Sequence, residues 1–83
     1  MSNVTFDITS DDYESVETAA SITLDSGTTF SIQGLNNDFY LRKGSTGTGF
    51  YVKALEHCTY NSDGTDLEIK KLHSGVLTVN ISD

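Results

Sequence analysis

The stretch Ser21-Ile22-Thr23-Leu24-Asp25-Ser26-Gly27-Thr28-Thr29-Phe30-Ser31-Ile32-Gln33-Gly34-Leu35 decides how the chain is read. Apolar residues alternate with polar ones on both sides of Asp25-Ser26-Gly27, the pattern of two half-buried strands joined by a turn. For Ile22 and Leu24 to share a face with Phe30 and Ile32, the loop must hold an odd number of residues, because a shift of one flips every side chain. A three-residue loop on a type I turn, with Gly27 in the left-handed position, satisfies that parity. The same device recurs at Leu72-His73-Ser74-Gly75-Val76, where it sets Ile69 opposite Val79 and Leu67 opposite Ile81. Between the two, Asn36-Asn37 suits a two-residue turn, since asparagine tolerates positive φ; this pairs Ile32 with Leu41 and Gly34 with Phe39.

Outward from this centre, Val4 to Thr9 alternates like a first strand. Ser10 to Ala20 holds the one helix signal: Asp11 as cap, Glu14 three residues on, and Tyr13, Val16 and Ala20 on one stripe. At barely three turns it is marginal alone, so the segment reads as either a short helix or an irregular arm. After Gly44-Ser45-Thr46-Gly47-Thr48-Gly49 a long strand is expected from Phe50 to about Tyr60, with Phe50, Val52 and Ala54 on one side. Asn61-Ser62-Asp63-Gly64 then turns the chain back, and its parity stays open between His57 facing Ile69 and Cys58 beside Leu67. The expected fold is all-β: a small antiparallel meander of six to seven strands, closed into a barrel or a two-layer sandwich to hide its edges. One domain over 1–83 is expected, with an acidic strand and helix or arm at 1–20 and the meander at 21–83.

Composition bounds the function. With 83 residues and 36 % hydrophobic content the chain has room for one small core. Twelve carboxylates against five bases give a net charge of −7, and residues 1–38 hold seven of the acids and no Lys or Arg. Residues 39–83 hold five acids and five bases, so the whole net charge belongs to the first half. Affinity for duplex nucleic acid comes largely from cations that neutralise phosphates, so direct duplex binding is not expected. Anionic membranes are disfavoured for the same reason. The opening Met1-Ser2-Asn3-Val4 lacks the pattern of a signal peptide, which implies a protein made in a cytoplasm and not secreted by that route. A single cysteine, Cys58, precludes an internal disulfide framework.

Reactive constellations are weak. His57 and Cys58 are strand neighbours and point to opposite faces, so they cannot share a metal or form a thiolate–imidazole pair without a bulge. Asn61 to Glu68 resembles part of a calcium loop, but alignment on Gly64 puts Thr59 and Lys70 where ligating acids belong, so a hairpin turn is the expected reading and weak adventitious calcium binding by Asp63 and Asp66 the alternative. Arg42-Lys43 ahead of the glycines at 44–49 invites a phosphate-cradle reading, but a strand follows where a helix is needed; a mobile contact loop fits better. No catalytic residue, metal site or cofactor is assigned, and an enzyme is not expected.

Two surfaces are candidates for binding. If Phe39 and Leu41 face the core, Tyr40, Arg42, Tyr51 and Lys53 lie together on the opposite face, a composition typical of binding surfaces. The competing explanation is that these tyrosines merely cover the sheet. Asp11, Asp12, Glu14 and Glu17 form an acidic partner-contact candidate: a solvated face, an arm for a basic surface, or an imitation of nucleic-acid phosphates.

The run Ser21 to Leu35, with Leu77-Thr78-Val79-Asn80-Ile81, resembles the short Ser/Thr/Gly-rich strands of small bacteriophage virion proteins, head-decoration and tail accessory subunits. The resemblance carries no diagnostic motif and transfers no functional residue. It implies a non-enzymatic structural or assembly protein acting through protein–protein contacts, with a capsid or tail subunit as partner and homo-oligomerisation as added burial. The alternatives are an acidic inhibitor that mimics nucleic acid and blocks a host nuclease or defence enzyme, and a small carbohydrate- or ligand-binding β-module built on Tyr40 and Tyr51.

Overall fold

A computed structural model describes residues 3–83; Met1 and Ser2, at the head of the expected 1–20 segment, lie outside the described residues. The strands are β1 (Val4–Ile8), β2 (Glu14–Ser15), β3 (Thr29–Gly34), β4 (Phe39–Lys43), β5 (Phe50–Val52), β6 (His57–Asn61), β7 (Leu67–Lys71) and β8 (Leu77–Ser82). One helix, α1 (Val16–Ala20), follows β2. The strands form two four-stranded antiparallel sheets, ordered β1-β8-β3-β6 and β2-β7-β4-β5. Among the described residues there are thus eight strands rather than six to seven, and the sheets keep open edges rather than closing into a barrel.

The expected meander is replaced by a different winding. β1 pairs with β8, β2 with β7, β3 with β6 and β4 with β5, as in one long ribbon folded at the β4–β5 hairpin. The ribbon is laid over itself, and the β3·β8 and β4·β7 pairings stitch its turns together. This is a jelly-roll winding. Only β4 and β5 are both consecutive and paired; every other strand connection crosses between the sheets.

Three expected hairpins are therefore corrected, although two of their turns keep the expected left-handed glycine. Gly27 adopts φ 87° and Gly75 φ 93°, the left-handed backbone those turns require. Ile22 and Leu24 nevertheless belong to no strand, because both edges of β3 are taken by β6 and β8. The Leu24 amide instead donates to the Glu17 carboxylate at 2.8 Å, and its carbonyl accepts from the Ser62 hydroxyl at 2.7 Å. Side chains thus satisfy a backbone that is buried without a ladder. Ile69 pairs with Leu41 and Val79 with Phe6, so the 72–76 turn joins the two sheets instead of a hairpin.

At the third site the asparagines work through their side chains, and neither has positive φ. Asn36 Oδ1 accepts from the Thr78 amide at 2.8 Å, and Asn37 exchanges two bonds with the His73 backbone, at 3.1 and 3.3 Å. The chain turns a corner there, so Ile32 and Leu41 belong to different sheets rather than to one ladder. Gly34 is required at this corner, because a Cβ would lie 2.8 Å from the Asn37 carbonyl oxygen.

The expected long strand from Phe50 to Tyr60 is broken into β5 and β6 by a corner at 53–56, where Leu55 takes φ 72°. Val52 is buried as expected, whereas Phe50 stands half exposed. Asn61 to Gly64 likewise crosses from β6 to β7 of the other sheet, so the parity question there disappears. In the 10–20 segment the cap is Ser15 rather than Asp11: its hydroxyl accepts from the Thr18 amide at 3.1 Å. Asp66 reinforces the helix start by accepting from the Glu17 amide at 3.1 Å and from the Ser15 hydroxyl.

The core collects Phe6, Ile8, Phe30, Ile32, Leu77, Val79 and Ile81 from one sheet and Phe39, Leu41, Val52, Leu67 and Ile69 from the other, with Val16, Ala20 and Leu24 from α1 and its tail. Each fully buried large side chain contributes roughly 1.5–3 kcal/mol. Among the described residues no helix is long and apolar enough to cross a membrane.

Candidate functional site

The alternation that buries Phe39 and Leu41 turns Tyr40 and Arg42 to the outer face of the β2-β7-β4-β5 sheet. Register sets Tyr40 opposite Tyr51 of β5 and Lys70 of β7, and Arg42 opposite Glu68. The Tyr40 and Tyr51 rings meet edge to face, with centroids 6.3 Å apart. The Arg42 guanidinium donates through both Nε, at 2.8 Å, and Nη2 to the same Glu68 oxygen. Lys53 falls beyond the end of β5, exposed in the 53–56 corner, and so leaves the strand that carries Tyr51.

Tyr13, read from the sequence only as part of a helix stripe, covers this face. Its ring lies 3.9 Å from the Arg42 carbon and 5.8 Å from the Lys70 ammonium. Its hydroxyl reaches Gly49, where a Cβ would overlap it. Arg42 is held between an aromatic ring and a carboxylate, so its charge already has two internal partners.

Asp38, also missed from the sequence, ties the rim together. Its Oδ1 accepts the Ala54 amide at 2.7 Å, and its Oδ2 accepts the Tyr51 hydroxyl at 3.0 Å and faces His73 Nε2 at 3.1 Å. The Ala54 bond first, then Tyr51 and His73, hold its pKa below the ordinary carboxylate value. The Tyr51–Asp38 bond in turn raises the pKa of the Tyr51 phenol.

The other end of the molecule is braced in the same manner. Asp63 pairs with Lys43 and accepts the Thr65 amide at 3.0 Å, and these contacts place its pKa well below the usual range. Asp66 caps α1. Asp63 and Asp66, the calcium candidates of that stretch, thus serve a lysine and a helix start. Among the described residues no group of three or more His, Cys, Asp or Glu side chains could hold a metal ion. His57 points outward with Nδ1 3.1 Å from the Ser31 hydroxyl, while half-buried Cys58 packs on the core and burial pushes its thiol pKa up.

The four N-terminal acids are distributed among different elements. Asp11 pairs with Lys71 at 3.4 Å; Asp12 is exposed in the 9–13 loop; Glu14 sits in β2 opposite Ile69; Glu17 accepts the Leu24 amide from within α1. Comparison with protein-family models, curated proteins and solved structures returns no match to this chain.

Proposed function

We propose that this chain is a non-enzymatic assembly subunit of a viral particle, binding another protein by surface complementarity. The observation that carries the reading is the internal use of its charged groups. Arg42 with Glu68 and Tyr13, Lys43 with Asp63, Lys71 with Asp11, and Asp38 with His73, Tyr51 and Ala54 are surface braces. Groups spent on one another stiffen a module, and what the surface then offers outward is shape and apolar area. The jelly-roll winding is used by viral shell subunits, but also by lectins and cupins, so placement in a virion rests on the sequence resemblance rather than on the fold.

The test is co-sedimentation of the purified chain with particles assembled from the shell or tube protein encoded beside it. The expected result is binding that saturates at a fixed ratio to the shell subunit. Absence of saturable binding overturns the proposal.

A further inference from the structure

We infer that the end of the jelly roll built from residues 35–38, 53–56 and 72–76 docks a basic segment of a partner protein that carries aliphatic side chains flanked by Lys or Arg. The inference rests on the assembly reading above and names its surface and the chemistry of its occupant.

Leu35, Leu55, Leu72 and Val76 are exposed by 36–63 %, and all four lie in these three loops. Single exposed hydrophobics are ordinary on a protein surface, whereas a gathering of them is not. The loops are also held together. The Leu55 amide donates to the Gly34 carbonyl at 2.7 Å, Leu35 to Thr78 at 2.8 Å, and Leu72 to Asp38 at 3.0 Å. Asn36, Asn37 and the Asp38 carboxylate add side-chain ties to Thr78, His73 and Ala54. A surface fixed in this way loses little entropy on binding. Leu55 is its most exposed aliphatic, and its φ of 72° is a conformation that a branched side chain adopts at an energetic cost.

Charge selects the occupant. At this end Asp11 is paired with Lys71 and Asp38 is bonded to His73, which leaves Asp7 on Thr78, Asp12 in the 9–13 loop and Glu56 in the 53–56 corner against Lys53. Lys71 is nearly buried and already bonded to Asp11 and the Gly75 carbonyl, so the outward field is negative. A second copy brings the same −7 and the same carboxylates, which repel. A basic segment meets an apolar centre with an acidic margin.

The experiment titrates the isotope-labelled chain with a short amphipathic Leu/Lys peptide and with a Leu/Glu peptide of the same apolar pattern, followed by backbone amide shifts. The expected result is perturbation confined to 35–38, 53–56 and 72–76 with the Leu/Lys peptide alone, weakening as salt is raised. Leu55→Gly keeps the left-handed backbone and deletes the side chain; combined with Leu35→Ser it should lower affinity roughly tenfold or more, with the thermal midpoint retained. Equal binding of the Leu/Glu peptide, or shifts centred on α1, overturns the inference. Concentration-dependent shifts in these loops without peptide also overturn it, and assign the surface to a second copy. Unchanged co-sedimentation of the double variant with shell particles overturns this surface while the assembly reading stands. Failure of the unsubstituted chain to co-sediment removes the assembly reading, and the peptide titration still decides the surface.

Discussion

The two ends of the jelly roll are built from loops of opposite character. One end presents 21–28, 44–49 and 62–66, rich in Ser, Thr, Gly and Asp; among its residues Leu24 turns inward and is fully buried. The other presents 35–38, 53–56 and 72–76, where four aliphatic side chains turn outward. At the first end a hydrophobic residue anchors a polar loop to the core; at the second, polar residues hold hydrophobic ones in place on the surface. Hydrophobic content alone therefore does not tell which loop is structural.

The contrast can be broken most severely at Leu24. Leu24→Ala should cost about 2–5 kcal/mol, because it empties a fully buried site, read as a fall in the denaturation midpoint. Ser62→Ala comes next. It removes the hydroxyl that donates to the Leu24 carbonyl, and leaving that acceptor unmet in a buried setting should cost about 1–3 kcal/mol by the same measurement. Equal losses from truncating the outward aliphatics would erase the distinction between the ends.

At the other end Asp38 gives a pH signature. Its pKa is lower folded than unfolded, so it contributes stability above about 3.9, the ordinary carboxylate value, and loses it as the pH falls through the folded value. The Ala54 amide should hold its exchange protection from neutral pH down to that acid region and then lose it. Asp38→Asn should remove the acid-dependent step, as followed by amide exchange. The smallest effect is expected for Leu55→Gly: relief of the left-handed backbone offsets the greater entropy of glycine, and stability should stay within about 1 kcal/mol in a denaturant titration.

These ends also show what the sequence disclosed. The Gly27 and Gly75 turns, the facing Tyr40 and Tyr51, and the burial of Phe30, Ile32, Phe39 and Leu41 follow from alternation and turn chemistry, both local properties. Strand partnership does not. A tight turn with a left-handed glycine serves equally to reverse a strand within a sheet and to lead it into the facing sheet, and the inward face looks the same in both cases. Leu24 misled because its alternation is that of a strand, while its backbone is satisfied by the side chains of Glu17, seven residues back, and Ser62, 38 residues on, a pairing that no alternation encodes. The outer face was legible at Tyr40, Arg42 and Tyr51, whereas Tyr13 and Asp38 act through long-range contacts with no local mark. Leu35 and Leu55 could have been noticed as bulky aliphatics outside the alternating runs.

The pairing of β1 with β8 has a consequence for how the molecule comes into being. Val4 stands opposite Ile81, so β1 finds its ladder partner only after β2 to β7 have been made. β3 waits likewise for β6 and β8. Closure of such distant contacts places folding in the slow range of about milliseconds to seconds for all-β topologies. During synthesis β1 and β3 stand without the ladder partners they later gain, and through that interval the acidic first half repels other copies of itself.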